Sequence, residues 1–203
     1  MRLLLLVILA CFLFIGCKGK ADLLTDKTYT TEKIGWTINL PGEKWKVMTE
    51  KEMKKLNAKG NKIIEDATNV KIDNSTVEQL INLKKDPFNY FVASIEPFDS
   101  VTFGNYDDLL TATHNVMKES FKSLNILAEY ELGATRIDGL MMDRFIIKLS
   151  SKPSGSKTFY EEMYTCLINN YVFGIILVYN NEKDKETLRN ILNSSNFSMN
   201  SDL

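Results

Sequence analysis

Two stretches decide the fold: ILAEYELGATRI-DG-LMMDRFIIKLS at residues 126–150 and TFYEEMYTCLI-NN-YVFGIILVY at residues 158–179. Each is a pair of β-rich runs split by two turn residues. Asp138-Gly139 is the strongest short hairpin signal, because the tight turn it favours needs positive φ at both central positions. Asn169-Asn170 has the same role, since asparagine tolerates left-handed backbone. Pro153 and Gly155 mark residues 152–157 as the loop between the hairpins. Two consecutive hairpins predict four antiparallel strands.

Helical periodicity flanks this block. Before it, Tyr106, Leu109, Leu110, Thr113, Val116, Met117, Phe121 and Leu124 recur at helical spacing. Asn105 reads as the N-cap of that helix, and Asp107 and Asp108 complement its dipole. After the block, Asn181 caps a helix over 182–193 that turns Leu188, Ile191 and Leu192 inward, and Phe197 packs back on the sheet. Further upstream, Ile34, Trp36, Ile38 and Leu40 alternate with smaller or polar residues, which predicts a half-buried strand ended by Pro41-Gly42. Trp45 and Val47 are expected to cover the sheet edge. Thr49 and Glu52 form a capping box for a helix whose inner face carries Met53, Leu56, Gly60, Ile63, Ile64 and Ala67. Residues 70–87 read as an insertion with a short helix at 76–83, and 88–98 as a strand ending at Pro97. The expected fold is therefore α+β: an α/β/α sandwich with a mainly antiparallel sheet of about six strands and helices on both faces. It forms one domain over residues 29–203.

This element order resembles the PsbP-like (DcrB-like) family. The resemblance runs from Tyr29 to Met199 and rests on Ile38-Asn39-Leu40-Pro41, Trp45 and Ile137-Asp138-Gly139 within that order. These are turn and core positions. The resemblance implies a fold, and no functional residue is carried over, because one fold hosts unrelated functions.

The N-terminus implies a location. Met1-Arg2 precedes an apolar run from Leu3 to Ile15, and Lys18-Gly19-Lys20 follows. A membrane-spanning helix needs roughly 20 apolar residues, so this shorter run fits a secretory signal. Phe14-Ile15-Gly16-Cys17 resembles a bacterial lipobox, with Phe14 where leucine is usual. The resemblance implies that residues 1–16 are a lipoprotein signal peptide, that Cys17 is acylated, and that 17–28 is a tether. Several acyl chains give stable anchoring, since each buried CH₂ contributes about 0.8 kcal/mol. Lys18 after the cysteine favours the outer membrane over the inner. The expected location is a bacterial cell envelope, with the membrane itself as partner through the lipid on Cys17.

Composition excludes several functions. With Arg2 removed, the 25 basic residues become 24 against 26 acidic ones, so no electrostatic attraction to nucleic acid is expected. Of three cysteines, Cys11 leaves with the signal and Cys17 is modified. Cys166 is left as a buried small hydrophobe. The single histidine, His114, falls on the flank of a helix, and no metal-ligand spacing surrounds it. No nucleophile elbow or glycine-rich phosphate loop exists, and no cofactor is expected. Asp107/Asp108 and Glu161/Glu162 are adjacent, so their side chains diverge and read as solvated.

One segment invites a partner. Lys84, Lys85, Asp86, Phe88, Asn89 and Tyr90 place charges and aromatics at the start of a strand, a candidate protein-recognition surface. Tyr160, Tyr164, Asn169, Asn170 and Tyr171 make a second polar and aromatic candidate. The leading expectation is a non-enzymatic binding or assembly module, with an envelope protein as the candidate partner. A small-ligand or lipid-binding protein is the alternative, and it needs a deep apolar pocket between helix 106–124 and the sheet. A hydrolase with a carboxylate site assembled by the fold comes third.

Overall fold

The computed structural model describes residues 23–25, 27–68, 74–150 and 158–198. The expected signal peptide, Cys17, the loop 152–157 and Met199 lie outside the described residues. The chain opens with β1 (Leu23–Leu24), β2 (Thr28–Thr31), β3 (Trp36–Asn39) and β4 (Lys46–Val47), then α1 (Glu50–Thr68). Next come β5 (Glu78–Asp86), β6 (Asn89–Pro97), α2 (Ser100–Phe103) and α3 (Tyr106–Ser123). The two hairpins follow as β7 (Leu127–Ile137), β8 (Leu140–Ser150), β9 (Thr158–Ile168) and β10 (Tyr171–Tyr179). α4 (Glu182–Asn193) and β11 (Asn196–Phe197) close the described chain.

The hairpin turns have the backbone their residues predict. Asp138 and Gly139 sit at φ 44° and 83°, and Asn169 and Asn170 at 49° and 61°. These turns fix the register of a seven-stranded sheet in the order β4-β5-β6-β10-β9-β8-β7, in which every neighbouring pair is antiparallel. A second sheet, β1-β2-β3-β11, has four strands.

Alternation along β10 separates two layers. Phe173, Ile175, Leu177 and Tyr179 share one buried cluster with Trp36, Ile38, Leu188, Ile191 and Leu192, so β3 and α4 cover that face. Val172 joins Phe103 and Leu109, so α2 and α3 cover the other. The helices therefore lie on both faces, as expected. Trp36 is fully buried at the junction of the two sheets. Its ring centroid lies 4.9 Å from Phe173, 5.9 Å from Tyr29 and 6.5 Å from Phe91, and its Nε1 donates to Ser195 Oγ at 3.1 Å.

Two expectations need correction. Residues 76–83 are not a helix, because β5 occupies most of that stretch. Val77, Leu80, Ile81 and Leu83 have local helical spacing, yet all are buried. A strand covered on both faces carries an apolar run without alternation, and pairing with β6 outweighs the local pattern. The strand around Trp36 belongs to the small sheet, while β4 and β5 complete the large one.

The helix starts follow local chemistry. Thr49 N donates to Glu52 Oε2 at 2.9 Å, and Glu52 N donates to Thr49 Oγ1 at 3.3 Å. Of the expected inner face of α1, Met53 is buried; the side chains of Leu56, Gly60, Ile63, Ile64 and Ala67 lie outside the described residues. Asn105 and Asn181 accept from the amides of Asp108 and Asp184, each at 2.9 Å. Asn181→Ala is expected to cost about 1 kcal/mol, read as a fall of a few degrees in a thermal melt. Phe197 packs back on the sheet, with its ring centroid 5.9 Å from Phe173.

Candidate functional site

The expected recognition segment is a hairpin, not the start of an isolated strand. Pro87 and Phe88 form the turn between β5 and β6. Asp86 holds that turn by accepting from Phe88 N at 2.8 Å and from Asn89 Nδ2 at 2.9 Å. Asn89 and Tyr90 are buried. Asn89 Oδ1 accepts from Asn180 N at 3.2 Å, which ties the turn to the start of α4. Lys85 Nζ donates to both carboxylate oxygens of Asp184 at 2.6 Å. Burial disfavours the Asp184 carboxylate, but the Lys85 ammonium and Asn181 hold its pKa below the ordinary value. Lys84 is half-buried, and Phe88 is exposed with its ring centroid 5.0 Å from Phe159. Most of the segment thus fastens β5 and β6 to α4.

The second aromatic candidate does not assemble. Tyr160 pairs with Tyr179 across the open end of the β9–β10 hairpin, and their rings stack at 5.3 Å. Asn169 and Asn170 form the turn at the far end. Tyr164 is buried and belongs to a cluster that sequence reasoning missed. Glu162 is fully buried and accepts hydrogen bonds from Tyr164 Oη at 2.6 Å, Tyr179 Oη at 2.5 Å, Arg189 Nη2 at 2.7 Å and Arg189 Nε at 3.2 Å. Burial raises the pKa of this carboxyl, but bonds from Arg189, Tyr164 and Tyr179 outweigh burial and hold it below the ordinary value. Burial and the adjacent carboxylate push both tyrosines well above the ordinary phenol range. A shallow depression beside the cluster is lined by Thr158, Tyr160, Tyr179, Asn180, Asn181 and Glu182.

Glu161 and Glu162 do point to opposite faces, but neither is solvated. Both are buried, because β9 lies inside the sheet and each face is covered. The signal that could have exposed this is an acidic pair inside an otherwise apolar strand. With two tyrosines and one guanidinium engaging its oxygens, Glu162 has the chemistry of a structural tie.

The other reactive types are similarly placed. Cys166 is buried, and desolvation followed by the nearby Asp143 charge pushes its thiol up to about 12. That is the wrong direction for a nucleophile at neutral pH. The His114 ring lies 4.4 Å from Phe145, and burial followed by Lys118 lowers its pKa. Among the described residues no group of three His, Cys, Asp or Glu side chains converges for a metal, and no helix is long and apolar enough to cross a membrane. Between α3 and the sheet, Leu109, Met117 and Phe121 are buried, alongside Thr113 and Ser120. These two hydroxyl oxygens have no hydrogen-bond partner, so this interface is not purely apolar.

Several large apolar side chains are exposed elsewhere. β7 ends the seven-stranded sheet, and on it Leu132 is 57% exposed, Leu127 49% and Tyr130 36%. Met141 on β8 is exposed opposite Arg136, and Leu124 and Ile126 are exposed just before β7. Large side chains at an unpaired strand edge form the feature of this surface best suited to protein contact.

The architecture has a solved counterpart. The solution structure of cyanobacterial PsbP (CyanoP) from Synechocystis sp. PCC 6803 matches with a TM-score of 0.52 over 90% of this chain and 98% of that one, at 11% identity. The fold is PsbP-like. No protein-family model matches the sequence, nor does any curated protein. At that identity the PsbP-like likeness concerns the arrangement of strands and helices alone.

Proposed function

We propose that this chain is a lipid-anchored, non-enzymatic binding or assembly module of a bacterial cell envelope, with the outer membrane favoured. The observation that supports assembly most directly is the exposed apolar edge at β7. The ionisable clusters around Glu162 and Asp184 are occupied with one another, and that leaves them little capacity for chemistry. The sequence supports the anchor through the apolar run ended by Phe14-Ile15-Gly16-Cys17. A tether running from Cys17 to the start of β1 would hold a PsbP-like domain close to a membrane and raise its effective concentration for partners there.

The anchor is tested directly. Cells expressing Cys17→Ser should lose incorporation of labelled fatty acid into the protein. Continued labelling of that variant would sink the anchor.

A further inference from the structure

We infer that β7 pairs with β7 of a second copy of this chain, joining two seven-stranded sheets edge to edge about a two-fold axis at Leu132. This deepens the assembly reading by naming the partner, and it rests on that reading.

The edge lacks most of the usual protection, although it carries the charged Glu129, Glu131 and Arg136. β7 has eleven residues, and it pairs with β8 from Leu127↔Ser150 to Ile137↔Leu140 with no bulge. It contains no proline and no lysine. Natural edge strands use bulges, prolines, charged side chains (lysine above all) or short length to discourage pairing. The opposite edge follows that practice, since β4 has two residues, one of them Lys46. Among the described residues, β7 has no strand on its outer side. One of its faces carries Glu129 and Glu131, both exposed; on the other, α3 lies over Tyr130, with Lys118 Nζ 5.7 Å from the ring centroid, and Leu132 is exposed. The residues from Glu129 to Ala134 are exposed, so a second strand can reach this edge.

Charge and register select a second copy as the occupant. Glu129 and Glu131 are drawn back to β8, Glu129 by Lys148 at 3.0 Å and Glu131 by Arg144 Nη2 at 2.5 Å. In the antiparallel register that pairs the whole strand, Leu132 meets Leu132, Tyr130 meets Ala134, and Leu127 meets Ile137. Glu131 meets Gly133, Glu129 meets Thr135, and Ala128 meets Arg136. No like charges stand opposite one another. Sliding the register one step one way places Glu131 against Glu131, which is unfavourable. Sliding it the other way shortens the ladder and centres it on Gly133.

Gly133 supplies the complementary feature. Arg144 lies opposite it on β8, and a Cβ built on Gly133 would meet Arg144 Nη2 at 3.4 Å. The guanidinium thus occupies the space over the glycine, next to the open edge. Its Nε is buried and has no hydrogen-bond partner. In the whole-strand register, Glu131 of the second copy stands opposite Gly133, within reach of that guanidinium. Two arginines and two glutamates then alternate around the axis. An isologous contact of this kind closes as a dimer and does not propagate.

The test uses the full chain in cells. Opposite residues of an antiparallel pair have Cα atoms about 4.5–5.5 Å apart. Leu132→Cys should therefore give a covalent species of twice the monomer mass with a short thiol crosslinker. Ala128→Cys, far from its own counterpart in this register, should give no more than the unmodified chain. Leu132→Lys should abolish the dimer seen by light scattering of the detergent-solubilised protein, and its thermal midpoint should lose the dependence on protein concentration that the dimeric wild type shows. Exchange of Arg144 and Glu131 in one chain, Arg144→Glu with Glu131→Arg, should retain the dimer. A monomeric wild type, or equal crosslinking at 128 and 132, overturns the pairing. Capture of a different protein by Leu132→Cys also overturns it while leaving the assembly reading standing. The unlipidated Cys17→Ser chain, solubilised in the same detergent, should still dimerise, which separates this inference from the anchor.

Discussion

Trp36→Ala is expected to destabilise the domain by about 3–5 kcal/mol, the usual range for removing a buried tryptophan. Trp36 is where the small sheet meets the large one. Its ring touches Tyr29 from β2, Phe91 from β6 and Phe173 from β10, so truncation opens a void shared by both sheets. The remaining lining cannot close it without moving a whole sheet. Ser195 Oγ also loses its donor in a buried position, which adds to the cost. A domain of this size loses about 2–4 °C of Tm per kcal/mol, so the midpoint should fall by about 10 °C. Trp36→Phe separates the two effects. It keeps most of the ring contact, loses the bond to Ser195, and should cost less than half as much in a urea titration. Equal losses for the two variants would show that the bond to Ser195, rather than packing between the sheets, carries most of the stabilisation.

The parts of this fold that sequence reading captured are those encoded within a few residues. Asp138-Gly139 and Asn169-Asn170 specify turns by their own φ preferences, and each turn fixes two strands. Thr49, Asn105 and Asn181 specify helix starts through bonds to amides three residues on. β5 escaped because its pairing is long-range. Val77, Leu80 and Ile81 are consistent with a helix until β6 is in place beside them. The site was harder for the same reason. Lys84 to Tyr90 has the composition of a recognition patch, yet Lys85 finds Asp184 and Asn89 finds Asn180 only when α4 is folded back. β7 was legible as a strand, but nothing local reveals that a strand is an edge. That property belongs to the order of the whole sheet, and with it comes the exposure of Leu132.

Arg189→Met should produce the second large effect, together with a reversal in pH dependence. The substitution keeps an apolar stem over the sheet and removes the guanidinium. Glu162 then remains buried, with two tyrosines as donors and no positive charge. Breaking a buried ion pair from one side costs about 3–5 kcal/mol. The lower end applies here, because the Arg189 side chain is 40% exposed and water can partly replace it. In the wild type the folded-state pKa of Glu162 lies below its ordinary value of 4.5. The unfolded chain therefore binds more protons in that range, and the stabilisation from this group is present above about pH 4.5 and lost as pH falls through the folded pKa. Without Arg189, burial becomes the strongest influence and raises the folded pKa. The folded state then binds the extra proton, so acidification from pH 7 towards 5 should restore part of the lost stability in the variant. Urea midpoints measured across pH 4–7 for both proteins isolate this group, since the other carboxylates are common to them. Glu162→Gln added to Arg189→Met should recover stability at pH 7 and flatten the difference with pH. A variant whose stability difference from wild type stays constant across that range would mean that Glu162 is not the group Arg189 neutralises.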